Sequence, residues 1–228
     1  MRAKAQSDAE IGAQDLRDKL IVTAKAGDVI GLKALLPRLT RATKQELENE
    51  DKITGLMWAT LGGSADCVQL LLPISNSLAQ DKSGMSALMW ACYKGHHSCI
   101  QKLLPVSDAL ARDKDGRTAL MHAVRLGHTY CAQMVLRASH ALAQDDDGLT
   151  ALMWAAFNGC ISSVEMLLPA SNVWAQDNRG RTARDIAWEK DGAALLVIDA
   201  YMLALSERCA LGAAAGSGKP GKASVRRV

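Results

Sequence analysis

Apolar residues along this chain fall into two short clusters that alternate and return at a fixed interval. The first is a Leu-Met-Trp-Ala type of run, seen in the segments TGLMWA from Thr54, SALMWA from Ser86, TALMHA from Thr118 and TALMWA from Thr150. The second is a Leu-Leu pair followed by proline, at Leu71, Leu72 and Pro73, again at Leu103, Leu104 and Pro105, and at Leu167, Leu168 and Pro169. Polar punctuation keeps the same beat. Asp81, Asp113, Asp145 and Asp177 recur every 32 residues, with Gly84, Gly116, Gly148 and Gly180 three places on and Gly95, Gly127 and Gly159 later in the unit. A fixed period of this length is the signature of a repeat array, in which each unit buries its apolar face against the next.

Each unit predicts a turn, a helix, a tight break and a second helix. Asp-x-x-Gly is a β-turn signal, with glycine free to take positive φ. Ser86 or Thr118 is placed to cap the first helix, and Gly95 or Gly127 to close it. Proline after the Leu-Leu pair ends the second helix, because its ring clashes with a preceding helical turn. Four of the five prolines, Pro37, Pro73, Pro105 and Pro169, stand there, and Arg137 replaces proline once. Neither helix is long enough to be stable alone in water, so stacking has to supply the stability.

These residues resemble the ankyrin repeat, whose unit begins with Asp and Gly, continues through Thr-Pro-Leu-His and two alanines, then Gly-His and a Leu-Leu helix. The resemblance covers about residues 15 to 208, as a 32-residue variant that reads Ala-Leu-Met at Ala119, Leu120 and Met121. It implies an all-α, helix-turn-helix solenoid with short β-hairpin loops. The expected organisation is a flexible segment 1–14, an N-terminal cap over about 15–48, repeats over about 49–80, 81–112, 113–144 and 145–176, a C-terminal cap over about 177–208, and a disordered basic tail over 209–228. Lys52 stands where a hairpin glycine belongs, which predicts an irregular first hairpin.

Composition narrows the function. Aromatic residues make up only 4% of the chain, so the core is built from Ala, Leu, Met, Val and Ile, as closely packed helices allow. Formal net charge is +3, and the tail cations Lys219, Lys222, Arg226 and Arg227 account for four charges, leaving −1 in everything before them. A nearly neutral array argues against a surface dominated by phosphate neutralisation; the basic tail is the one place left for nucleic acid or acidic lipid. No apolar run is long enough for a membrane span and no secretory leader is evident, so a cytoplasmic location with reduced thiols is expected for the six cysteines.

Several tempting constellations have plainer readings. Gly216, Gly218 and Gly221 have GxGxxG spacing, but without a strand before and a helix after they cannot seat a pyrophosphate, and Pro220 stands where a phosphate-binding loop needs Ser or Thr. Cys92, His96, His97 and Cys99 suggest zinc ligands. Yet Cys99 belongs to the column Cys67, Cys99 and Cys131, where a thiol packs as a hydrophobe, and His96 and His128 share a Gly-His position that the resemblance makes structural. Trp58, Trp90 and Trp154 with His122, the methionines 57, 89, 121 and 153, and the column Leu78, Leu110, Leu142 and Trp174 all read as packing positions. His122 has no recurring nucleophile beside it. No enzyme, metal or cofactor is expected.

What changes between copies is then free for a partner, and the resemblance places those residues on a concave face made of hairpin tips and first-helix ends. They are Lys82, Ser83, Met85, Tyr93 and Lys94; Arg112, Lys114, Asp115, Arg117, Arg125 and Leu126; Asp146, Asp147, Leu149, Phe157 and Asn158; and Asn178, Arg179 and Arg181. Met85, Tyr93, Leu126, Leu149 and Phe157 are expected to expose apolar surface, with Phe157 as anchor. The expected function is a monomeric adaptor, scaffold or inhibitor that binds a protein, with an exported effector acting on host proteins and a tail-driven nucleic-acid or membrane binder as the other readings.

Overall fold

A computed structural model describes residues 15–38, 51–190 and 192–216, with the side chains of 210–216 left aside. The expected flexible segment 1–14, most of the first hairpin and residues 217–228 of the expected tail lie outside the described residues. Among the described residues twelve α-helices follow one another in pairs. They are α1 (15–26) and α2 (Val29–Leu35); α3 (Gly55–Leu61) and α4 (Ala65–Leu71); α5 (Ala87–Lys94) and α6 (His97–Leu103); α7 (Ala119–Arg125) and α8 (Thr129–Leu136); α9 (Ala151–Phe157) and α10 (Ile161–Leu167); α11 (Ala183–Lys190) and α12 (Ala193–Gly216). First helices stack on first helices and second on second, which gives two parallel layers with the core between them. Among the described residues there is no strand, and the hairpins are reduced to single antiparallel bridges, Gln80 to Ser86 and Gln144 to Thr150.

The repeated residues perform the jobs their chemistry suggests. Ser86 accepts from the Met89 N–H at 3.3 Å and Thr150 from the Met153 N–H at 3.3 Å, while the methionine sulfur reaches back to the capping residue's own N–H at 3.5 and 3.4 Å. A thioether thus completes a weak capping box in a position where glutamate or glutamine is the usual partner. The Leu-Leu-Pro segments continue their helices as one 3-10 turn, at Leu72–Ile74, Leu104–Val106 and Leu168–Ala170. Where Arg137 replaces proline, α8 runs one residue longer and forms no such turn. Gly63 and Gly95 take positive φ, and a Cβ on either would come within 2.9 and 2.8 Å of the imidazoles of His96 and His128. The Gly-His pair is therefore an inter-repeat packing element, as expected.

Two expectations need correction. The column Leu78, Leu110, Leu142 and Trp174 is not core: these side chains are 60%, 56%, 49% and 65% exposed. For Leu110, Leu142 and Trp174 the buried neighbour is the preceding residue (Ala109, Ala141 and Val173), so period alone had placed the wrong neighbour inside. Helix α12 runs through Gly216, past residue 209 where a tail was expected, because Ala- and Leu-rich sequence continues a helix readily. Lys52 adopts the left-handed φ of 60° that glycine holds in the other units, the one non-glycine to do so among the described residues, while most of the hairpin expected to be irregular lies outside them.

Candidate partner-binding groove

The hairpins are held to the helices by the recurring aspartates. Asp81 Oδ1 accepts from the Ser83 and Met85 N–H groups at 2.8 and 2.9 Å, and its Oδ2 accepts from Trp90 Nε1 at 2.9 Å. Asp145 does the same with Asp147, Leu149 and Trp154. Asp113 bonds Asp115 and Arg117 in the turn and, in place of a tryptophan, His122 Nε2 at 2.7 Å. Asp177 bonds the Arg179 and Arg181 backbones and the Arg181 guanidinium at 2.8 and 3.0 Å. Burial pushes the Asp177 carboxyl up, but these bonds and the Arg181 charge outweigh it and hold the group below the usual carboxylate range. One carboxylate per unit thus fixes both the turn and its angle to the first helix.

Hairpin tips are also bonded to one another. The N–H groups of Lys82, Lys114, Asp146 and Asn178 donate to the carbonyls of Asp51, Ser83, Asp115 and Asp147 at 2.9, 3.0, 3.0 and 3.0 Å. Gln80 Nε2 bridges Gly84 O and Arg112 O at 2.8 and 2.9 Å, and Gln144 bridges Gly148 and Gln176 likewise. Arg112 substitutes for glutamine in that column, donating to Gly116 O and to Gln144 O.

A groove lies in the angle between the hairpins and the first helices. One opening in it, a cavity of about 500 Å³, is lined by Lys82, Ser83, Met85, Trp90, Tyr93, Asp113, Lys114, Asp115, Arg117 and His122. Rings run along the floor. Trp90 and Tyr93 meet edge to face at 5.6 Å, Tyr93 meets His122 at 6.1 Å, and Trp154 meets Phe157 at 5.9 Å. Cations lie over rings at 5.0 Å for Lys25 on Trp58, 5.4 Å for Lys94 on Tyr93, 5.5 Å for Arg125 on Trp154 and 4.2 Å for Lys190 on Phe157. Burial lowers the His122 pKa despite the Asp113 bond, so the ring is neutral, with its Nε2 proton directed at the carboxylate.

This geometry sorts the residues expected to meet a partner. Lys82, Ser83, Tyr93, Lys114, Asp115 and Arg117 line this cavity, while Phe157, Asn158 and Lys190 line another. Lys94, Arg125, Leu126 and Phe157 border the same groove along the first-helix ends. Met85 lines it too but is only 6% exposed, because its N–H and carbonyl are both bonded to Asp81 and its side chain folds under the hairpin; Leu149 is half-buried for the same reason. Arg112, Arg181, Asn158 and Asn178 are engaged inside the array: Asn158 donates to Val124 O and Arg125 O, Asn178 to Asp146 O, and Arg181 ties Asp177 to Glu189. Asp146, Asp147 and Arg179 are exposed at the tips. Lys25 and Lys190, not singled out from the sequence, belong to the groove; the signal was their place in the Tyr93–Lys94 column of each first helix.

The family model for ankyrin repeats (3 copies) matches residues 20–110 and 98–177, more than half of the chain. The chain belongs to the ankyrin-repeat family. No curated protein matches the sequence. Ankyrin repeats are in general protein–protein interaction modules, and the two helical layers with stacked hairpins are the form this ankyrin array takes. Of the residues weighed as zinc ligands, Cys92 and Cys99 are buried, His96 packs against Gly63 and His97 is exposed beside Tyr130. Burial pushes the Cys99 thiol up to about 11 and raises Cys92 further, and among the described residues no group of three His, Cys, Asp or Glu side chains is placed to hold a metal. Among the described residues no helix is long and apolar enough to cross a membrane.

Proposed function

We propose that this ankyrin array is an adaptor, scaffold or inhibitor that captures a partner protein in the groove between its hairpins and first helices. The carrying observation is the row of first-helix ends. Lys25, Lys94, Arg125 and Lys190 lie over aromatic rings there, with no carboxylate partner among the described residues, and no demand of the fold accounts for them. Rigid aromatic and cationic side chains in a pre-formed cleft are the usual source of binding hot spots. The array acts as a single chain, and its four buried thiols suit a reducing, cytoplasmic setting.

The test is site-specific photocrosslinking from position 157 in the groove, with position 69 on the exposed side of α4 as control. Partner adducts should form from 157 and be lost when the neighbouring Leu126 is changed to Glu. Equal adduct formation from position 69 would place recognition on the second-helix layer.

A further inference from the structure

We infer that the groove is built for an extended acidic segment of a protein, one large apolar side chain of which enters the cavity beside His122; this rests on the groove reading above. Three observations converge on that position. First, the ring column Trp58, Trp90, His122 and Trp154 is broken at its third member by the smaller imidazole, which keeps the aspartate bond but leaves the cavity of about 500 Å³ open against Met85, Trp90 and Tyr93. Second, three cations around that opening are uncompensated: Lys94, Lys114 and Arg125 have no carboxylate partner among the described residues, whereas Lys82 and Arg117 beside them, and Arg181 and Arg184 elsewhere, are each paired. Third, along the first-helix ends the one carboxylate, Glu189, is already bonded to Arg181 at 2.9 Å. The wall facing the ligand is thus apolar at its centre and carries three unpaired cations, while its carboxylates, Asp113 and Asp115, are taken up by His122 and Arg117, the complement of a large apolar residue flanked by Asp or Glu.

Phosphodiester chains fit less well. Their charge recurs at every residue and cannot avoid Asp115, Asp146 and Asp147 at the tips, whereas a peptide can set its acids beside Lys94, Lys114 and Arg125 alone. Spacing sets the register of a peptide. Neighbouring helices lie roughly 8–10 Å apart and an extended chain rises about 3.3 Å per residue, so about three residues pass each unit and roughly a dozen span the array.

The experiment is fluorescence anisotropy on the full chain with a labelled peptide of about a dozen residues, rich in Glu around a single central Phe. The same peptide with Lys for Glu, and a thymidine oligonucleotide of similar length, serve as comparisons. The acidic peptide should bind, weaken as salt rises, and lose about tenfold or more in affinity against both His122→Trp and the double variant Lys94→Glu, Arg125→Glu. His122→Trp should keep its melting temperature, since tryptophan holds this place beside Asp81 and Asp145 in the flanking units; the double variant carries the test should it not. Binding of the oligonucleotide or the Lys peptide as tight as the acidic one, undiminished binding to both variants, or no binding by about 1 mM would overturn the inference. Hydrogen exchange separates the two levels. Protection of the groove by the Lys peptide alone would sink the acidic segment and leave the groove standing, while protection of the second-helix layer would sink both.

Discussion

The segment 112–143 and its neighbours on either side share one backbone plan and differ at three repeated positions. Tryptophan becomes His122, glutamine becomes Arg112 and proline becomes Arg137. In the first two cases the hydrogen bond survives the change. His122 Nε2 reaches Asp113 at 2.7 Å where Trp90 Nε1 reaches Asp81 at 2.9 Å, and Arg112 Nε reaches Gly116 O at 2.9 Å where Gln80 reaches Gly84 O at 2.8 Å. What the fold demands there is a donor at a given height, not a given ring or amide. Volume and charge are left over, and they are what the groove varies. At the third position the demand is weaker still, since α8 simply ends without its 3-10 turn.

The sharpest way to break this comparison is to remove what all units share. Leu120→Ala deletes a fully buried side chain between the layers and should cost on the order of 2–5 kcal/mol in urea unfolding, spread over the adjoining units, whereas Leu110→Ala, on the exposed column, should stay within about 0.5 kcal/mol. Similar losses for the two would mean that column is buried after all. Next, Asp113→Ala strips the acceptor from His122 and from two turn N–H groups, for an expected loss of about 1–3 kcal/mol; a silent result would show that water replaces the carboxylate freely.

The smallest expected effect separates His122 from the tryptophans. Its pKa is lowered in the folded state, so the unfolded chain takes up a proton that the folded one resists. That contribution to stability is complete above about pH 6.5 and declines as pH falls through the folded value. His122→Trp should remove this part of the pH dependence in thermal melts. Asp177, whose pKa is lowered, adds a second decline only below about pH 3.8, which the same variant should leave in place.

Much of this was legible because each repeated residue has a job with a sequence signature: Asp-x-x-Gly for the turn, Ser or Thr before the apolar run for the cap, Gly-His for the joint. The misplaced column Leu78, Leu110, Leu142 and Trp174 shows where that logic stops. Recurrence at a fixed interval proves that environments are alike, and solvent is as repeatable an environment as a core. Met85 failed in the other direction: it varies between copies, so it looked free, but its backbone is clamped by Asp81 and its side chain is drawn under the turn. The groove's cations were only half legible. Lys94 and Arg125 stood out as variable, while Lys25 and Lys190 lie in cap units whose register is loose, and their partnership with Trp58 and Phe157 exists only once neighbouring units are stacked.

The tip-to-tip backbone bonds have a consequence for length. Each joins one unit to the next through groups that every unit owns, so the last hairpin presents the same unsatisfied face that its predecessors used. Growth or loss by whole units leaves every remaining joint intact, whereas a break within a unit strands a carboxylate, a cap and half a layer. The reach of the molecule along a ligand is therefore quantised, in steps one hairpin wide.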